Sequence, residues 1–159
     1  MSASPCIKGE NPPRAVVLTG TGINCDLETA SALQRSGARV EIVHVSDLLA
    51  APERLLQTQL IVFPGGFSYG DDTGAGNALA ARLRHRLSGP LQAAIARGAL
   101  ILGICNGFQI LVALGILPGG ASPRNDPRTA ALLPNEPLGF QCRWVDLVAP
   151  ESRSHVLNG

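Results

Sequence analysis

The chain has 159 residues, 45% of them hydrophobic and only 16% charged, which is enough apolar material for one domain with a real core and excludes a disordered polar chain. A formal net charge of +1 leaves neither a basic field for nucleic acid nor an acidic tail. No apolar run approaches the ~20 residues of a membrane span, and the polar start MSASPCIKGENPPR lacks the apolar stretch of a secretory signal, so a cytoplasmic location is the default expectation.

Residues 1–13 read as a flexible leader and 14–159 as the domain. Ala15 to Leu18 is a short apolar run that stops at Thr19-Gly20-Thr21-Gly22, the pattern of a buried strand and a Gly-rich turn. Asp26 is placed to cap a helix to about Ser36, with Leu27, Ala30 and Leu33 on one face and Gly37 ending it. Val40 to Val45 reads as a second strand. Leu60 to Phe63 reads as a third, stopped by Pro64-Gly65-Gly66. Two helices are expected at 76–87 and 90–97, divided at Gly89-Pro90. Ala99 to Ile104 is a fourth strand, and Asn106 to Leu114 a helix stopped by Gly115. Pro118 to Pro137 reads as a long loop and Phe140 to Val148 as a further strand. Strands that are continuous apolar runs, alternating with helices, predict an α/β fold with a mainly parallel sheet buried on both faces. Ligands of such sheets bind beyond the carboxyl ends of the strands.

The four cysteines, Cys6, Cys25, Cys105 and Cys142, form no CxxC pair and match no metal-ligand spacing, so no metal is expected. Three of them read as small buried hydrophobes. Cys105 differs in context. Gly103-Ile104-Cys105-Asn106-Gly107 lies between an apolar strand and an apolar helix, the setting of a nucleophile elbow with Cys in the place of Ser. Flanking glycines remove the side chains that would clash at so sharp a turn. The helix N-terminus favours the thiolate, the reactive form, and the Asn106 N–H can point at an oxyanion. The alternative is a buried structural Cys in a tight turn. After the neighbouring strand, Gly65 and Gly66 would let a backbone N–H approach a substrate carbonyl; a turn that simply needs positive φ is compatible with the same residues.

Four segments carry a resemblance: Gly22 to Asp26 (GINCD), Phe63 to Asp72 (FPGGFSYGDD), Gly103 to Leu111 (GICNGFQIL) and Phe140 to Val145 (FQCRWV). In their order and spacing the chain resembles the class I glutamine amidotransferases, specifically the glutaminase subunit or domain of phosphoribosylformylglycinamidine synthase. The resemblance runs from about Ala15 to Leu147. It implies a flavodoxin-like three-layer sandwich and a Cys-His-Glu triad with Cys105 as nucleophile toward L-glutamine. The backbone N–H groups of Gly66 and Asn106 would form the oxyanion hole, and Gly65 and Gln109 would line the glutamine site. Gln109 reads equally well as a polar helix residue facing a loop. No cofactor is implied in this chain; ATP and Mg belong to the implied synthetase partner, which would consume the ammonia.

The family's histidine and glutamate lie in an AHGEG-like segment and a later HPE segment, and this sequence has neither. Of its three histidines, His44 reads as a packed strand residue, His85 as part of a solvated basic face (RLRHR), and His155 as part of a polar tail. The sequence thus reads as about the first two-thirds of such a domain, without its catalytic base and inactive alone. Two other readings stand beside the glutaminase: a non-catalytic module that docks on a synthetase, and a PfpI-like thiol enzyme or redox sensor.

Overall fold

The computed structural model describes residues 11–72, 74–118 and 129–148. Four strands, β1 (Arg14–Thr19), β2 (Arg39–His44), β3 (Leu60–Phe63) and β4 (Leu100–Gly103), form one parallel sheet in the order β2-β1-β3-β4. Between them run α1 (Asp26–Arg35), α2 (Val45–Ala50) and α3 (Asn77–Ala96), and α4 (Asn106–Leu114) follows β4. Short 3-10 turns occupy Pro52–Gln57 and Ser68–Asp71.

Side chains alternate across the sheet because successive residues of a strand point to opposite faces. Val16, Leu18, Ile61 and Phe63 join Leu83, Leu87 and Leu91 of α3 and Ile110 and Leu111 of α4 in the larger core cluster. Val17 and Val62 join Ala30 of α1 in the smaller one. The handedness of parallel crossovers explains the division. The step from β1 to β2 runs one way along the sheet and carries α1 over one face; the steps to β3 and β4 run the other way and carry α2 and α3 over the opposite face. The result is the flavodoxin-like three-layer α/β sandwich, with a switch point at the carboxyl ends of β1 and β3.

Several local expectations change. The segment 77–96 is one helix that runs through Pro90, not two. Leu79, Leu83, Leu87, Leu91 and Ala94 form a continuous buried stripe on it, and their burial outweighs the missing Pro90 N–H. Gly89 helps, because a pre-proline residue without a Cβ escapes most of the clash with the ring. Asp26 is the first helical residue of α1, not its cap; Cys25 holds the cap position without a side-chain hydrogen bond. Leu27 is exposed rather than on the buried face with Ala30. Val45 starts α2 instead of ending β2, and the His44 Nδ1 caps that helix by accepting from the Ser46 N–H at 3.1 Å. The arginines around His85 do more than face water. Arg84 donates to the Ala113 carbonyl at 2.7 Å, and Arg82 reaches the Tyr69 hydroxyl and Ser46 Oγ, tying α3 to its neighbours.

Residues 140–148 form no strand. Phe140, Trp144, Leu147 and Val148 lie exposed there, and β4 pairs only with β3 among the described residues. A strand exists by its ladder, and this segment joins none. Part of the expected leader, 1–10, and part of the expected loop, 119–128, lie outside the described residues. No helix among the described residues is long and apolar enough to cross a membrane.

The continuity of α3 is testable. Leu83 is fully buried in the larger cluster, so Leu83→Ala should cost about 2–5 kcal/mol in urea denaturation. Pro90→Ala should instead raise stability, by up to about 3 kcal/mol, because it restores a helical N–H and removes the ring's clash. Destabilisation by Pro90→Ala would show a helix broken at Gly89-Pro90.

Candidate active site

The sharpest turn of the chain lies between β4 and α4. β4 ends at Gly103 and α4 begins at Asn106, leaving Ile104 and Cys105 to reverse direction. Cys105 takes φ +52° and ψ −114°, a conformation that costs a side-chain-bearing residue about 1–3 kcal/mol. Its surroundings hold it there. Phe63 pairs with Gly103 across the sheet, and the Phe63 carbonyl accepts the Ile104 N–H at 3.0 Å. α4 then folds back so closely that a Cβ on Gly107 would land in that same carbonyl group. A Cβ on Gly103 would sit 2.6 Å from Leu111 Cδ1 and 2.9 Å from the Gly107 oxygen. Both glycines flanking the turn are therefore required by packing, and Cys105 is left exposed at the sheet's carboxyl edge.

The turn after β3 lies against the same cysteine. A Cβ on Gly65 would be 3.6 Å from Cys105 Cβ and 3.5 Å from Cys25 Sγ. Gly66 has φ +148°, and a Cβ there would meet the Gly22 oxygen at 2.5 Å and Asn24 N at 2.9 Å. The crowding comes from the turn after β1, which is zipped to it. Ile23 and Gly66 form an antiparallel bridge, the Phe67 N–H donates to the Gly22 carbonyl at 2.7 Å, and the Cys25 N–H donates to the Gly65 carbonyl at 3.3 Å. Neither the Gly66 N–H nor the Asn106 N–H donates to a backbone carbonyl among the described residues. An exposed thiol can attack a carbonyl, and a backbone N–H without another partner is the kind of donor that holds the resulting negative oxygen.

The structure thus brings Gly65, Gly66, Cys105, Asn106 and Gln109 to one sheet edge. The Asn106 Nδ2 donates to Gln109 Oε1 at 3.1 Å. Gln109 also borders a cavity of about 530 Å³ lined by Gly74, Asn77, Val112 and residues 130–134; Cys105 is not among its lining residues. Sequence reasoning missed Cys25, which it took for a buried hydrophobe. Cys25 is exposed and stands beside Gly65, and Cys142 is exposed as well. Ser68 and Asp71 were also missed as partners of Asn106. They belong to the FPGGFSYGDD string, whose length beyond the glycines was the available signal.

The histidines lie elsewhere. His44 ends β2, three strands from β4, or roughly 14 Å at the usual strand spacing. His85 is exposed on α3, and His155 lies outside the described residues. No group of three His, Cys, Asp or Glu side chains among the described residues could hold a metal ion.

Comparison with known proteins follows the same lines. A family model described as the CobB/CobQ-like glutamine amidotransferase domain matches residues 12–159. The chain is 46% identical over 142 residues to the phosphoribosylformylglycinamidine synthase subunit PurQ of Methanococcus maripaludis, covering 88% of this chain and 51% of that protein. It is 46% identical over 134 residues to the subunit of the same name from Dehalococcoides mccartyi, covering 84% and 51%. Among solved structures it is similar to a chain of PurLQS from Thermotoga maritima, with a TM-score of 0.62, 38% identity, and coverage of 86% of this chain and 55% of that one. The chain spans about half the length of the curated relatives it matches.

The packing at the elbow predicts opposite stability effects for neighbouring substitutions. Gly107→Ala should destabilise by about 3 kcal/mol, since the added methyl has no space. Cys105→Gly should stabilise by about 1 kcal/mol, since glycine accepts the turn's φ without strain. Urea midpoints of the two variants against the parent check both signs; a destabilising Cys105→Gly would mean the turn is unstrained.

Proposed function

This chain belongs to the CobB/CobQ-like glutamine amidotransferase domain family, and we propose that Cys105 is the nucleophile of a glutaminase that supplies ammonia for the amidotransfer step of phosphoribosylformylglycinamidine synthesis in purine biosynthesis. The observation that carries this reading is the position of Cys105, strained and exposed at the elbow, with the Gly65-Gly66 turn packed against it. The relatives' names supply the pathway.

In this reading the Cys105 thiolate adds to the side-chain amide carbon of L-glutamine. The carbonyl oxygen takes up negative charge and is held by the N–H groups of Gly66 and Asn106. The C–N bond then breaks, a proton goes to nitrogen, and ammonia leaves behind a γ-glutamyl thioester. Water attacks the thioester, releasing glutamate and the thiol. The similar chain from Thermotoga maritima is part of PurLQS. In a corresponding assembly, a synthetase subunit would bind ATP and Mg and consume the ammonia.

Proton delivery to the departing nitrogen is the step these residues do not serve. His44 belongs to the far strand and is engaged as the cap of α2, and His85 is exposed on α3. Members of a catalytic unit act together, so loss of the base costs several powers of ten in rate. A polypeptide of these 159 residues should therefore release negligible ammonia from glutamine, even with a synthetase present, and yet should be labelled at Cys105 by an electrophilic glutamine analogue in preference to Cys6, Cys25 and Cys142. Ammonia release and peptide mass spectrometry, with Cys105→Ser as control, test both halves. Turnover abolished by Cys105→Ser would mean that a base is present after all, with His155 the next residue to substitute. Preferential labelling of another cysteine would remove Cys105 as the nucleophile.

A further inference from the structure

Asn106 has a second feature besides its backbone N–H. The residue is 1% exposed, and its side chain makes four hydrogen bonds. Oδ1 accepts from the Ser68 N–H at 3.2 Å and from Ser68 Oγ at 2.7 Å. Nδ2 donates to Asp71 Oδ1 at 3.2 Å and to Gln109 Oε1 at 3.1 Å. A primary amide has two donor hydrogens and two acceptor lone pairs, so every capacity of this group is used. Its orientation has one solution. A backbone N–H can only donate and an ionised carboxylate can only accept, so Ser68 fixes the oxygen end and Asp71 the nitrogen end.

These four bonds join parts of the site that the sheet does not join. Ser68 lies two residues beyond Gly66, on the loop after β3, and Asn106 opens α4 after β4. That loop is strained, with Tyr69 at φ +56° and Asp71 at φ +57°. Left to itself a strained loop relaxes; surrounding contacts must over-determine it. The Phe67 and Tyr69 N–H groups tie its start to the Gly22 and Thr21 carbonyls, and the buried amide adds a restraint from the residue whose own N–H stands next to the nucleophile. It also fixes Gln109, whose oxygen is engaged by Asn106, so that Gln109 has its Nε2 donors to offer a substrate.

We propose that the Asn106 side chain is a positioning residue: it locks the Gly66 N–H against the Asn106 N–H to form one oxyanion site, and turns Gln109 to present a donor, not an acceptor, to bound glutamine. The inference rests on the glutaminase reading and goes beyond it, since that reading needs only the Asn106 backbone.

The test compares two labelling rates of Cys105 in the whole protein, with the diazoketone analogue of L-glutamine and with iodoacetamide. The diazoketone carries a carbonyl where the amide carbonyl would lie, so its binding uses the oxyanion site; its diazo carbon takes the thiol's own proton and N2 leaves as the C–S bond forms. Iodoacetamide alkylates the thiol by loss of iodide and does not need that site. Misplacing a reacting group by about 1 Å can cost on the order of a hundredfold. Asn106→Ala should therefore lower the diazoketone rate by at least about tenfold relative to the iodoacetamide rate. Ser68→Ala, which removes one of the four bonds, should lower the same ratio less. Asp71→Asn should preserve the ratio better than Asp71→Leu, because an amide oxygen can still accept from Nδ2.

An unchanged ratio in Asn106→Ala overturns the inference and leaves the glutaminase reading intact. If Asn106→Ala fails to fold by circular dichroism, Ser68→Ala decides: a ratio equal to wild type overturns the inference and a lowered one supports it. Wild-type protein labelled no faster by the L-diazoketone than by its D-enantiomer overturns the glutaminase reading, and this inference with it.

Discussion

The carbonyl of Phe63 is the point on which the site depends. It ends β3, accepts the Ile104 N–H from the start of the elbow, and faces Gly107 so closely that no side chain fits between them. With the carbonyl engaged from one side and crowded from the other, the chain between Gly103 and Asn106 has little room to choose its path. Cys105 carries the consequence as a positive φ. The strain is local, but the bonds that oppose it are those of the sheet itself, through the in-register pairing of β3 and β4.

A second restraint acts across the switch point. The turns after β1 and β3 would be independent loops in a sheet that continued in one direction. Here they lie side by side, bridged at Ile23 and Gly66 and by the backbone bonds around them. The GINCD and FPGGFSYGDD segments are therefore two halves of one structure. Among the described residues, positive φ at residues other than glycine occurs at Tyr69, Asp71 and Cys105, within this structure and the elbow beside it. Strain concentrated in one place persists because the bonds around it over-determine the backbone.

The handedness of the crossovers also leaves one region open. α1 lies over β1 and β2, and among the described residues no helix lies on that face over β3 and β4. Leu100 is exposed, Leu60 and Leu102 are half-buried, and Ile104 and Phe108 are exposed at the elbow. The apolar side chains of 140–148 are uncovered as well. This surface adds little to the chain's own core, which rests mainly on the opposite face, around α3 and α4.

The strand–helix alternation, the parallel sheet and the position of the elbow were legible in the residues alone. These are readable because each rests on a local rule: apolar runs bury as strands, glycines stop them, and a GxCxG between a strand and a helix permits a single sharp turn. The identity of the family was legible for the same reason, in contiguous strings. Other features were decided only by tertiary structure. Pro90 lies inside a helix because Leu83, Leu87 and Leu91 bury together, which outweighs the local signal at Gly89-Pro90. Residues 140–148 alternate like a strand but have no ladder to join. Cys25 and Asn106 each looked ordinary in sequence as side chains. Cys25 stands beside Gly65, 40 residues away, and the Asn106 amide binds Ser68, 38 residues away. Such pairings are set by strand order and register, and no local pattern of residues encodes a contact that exists only once β1, β3 and β4 lie side by side.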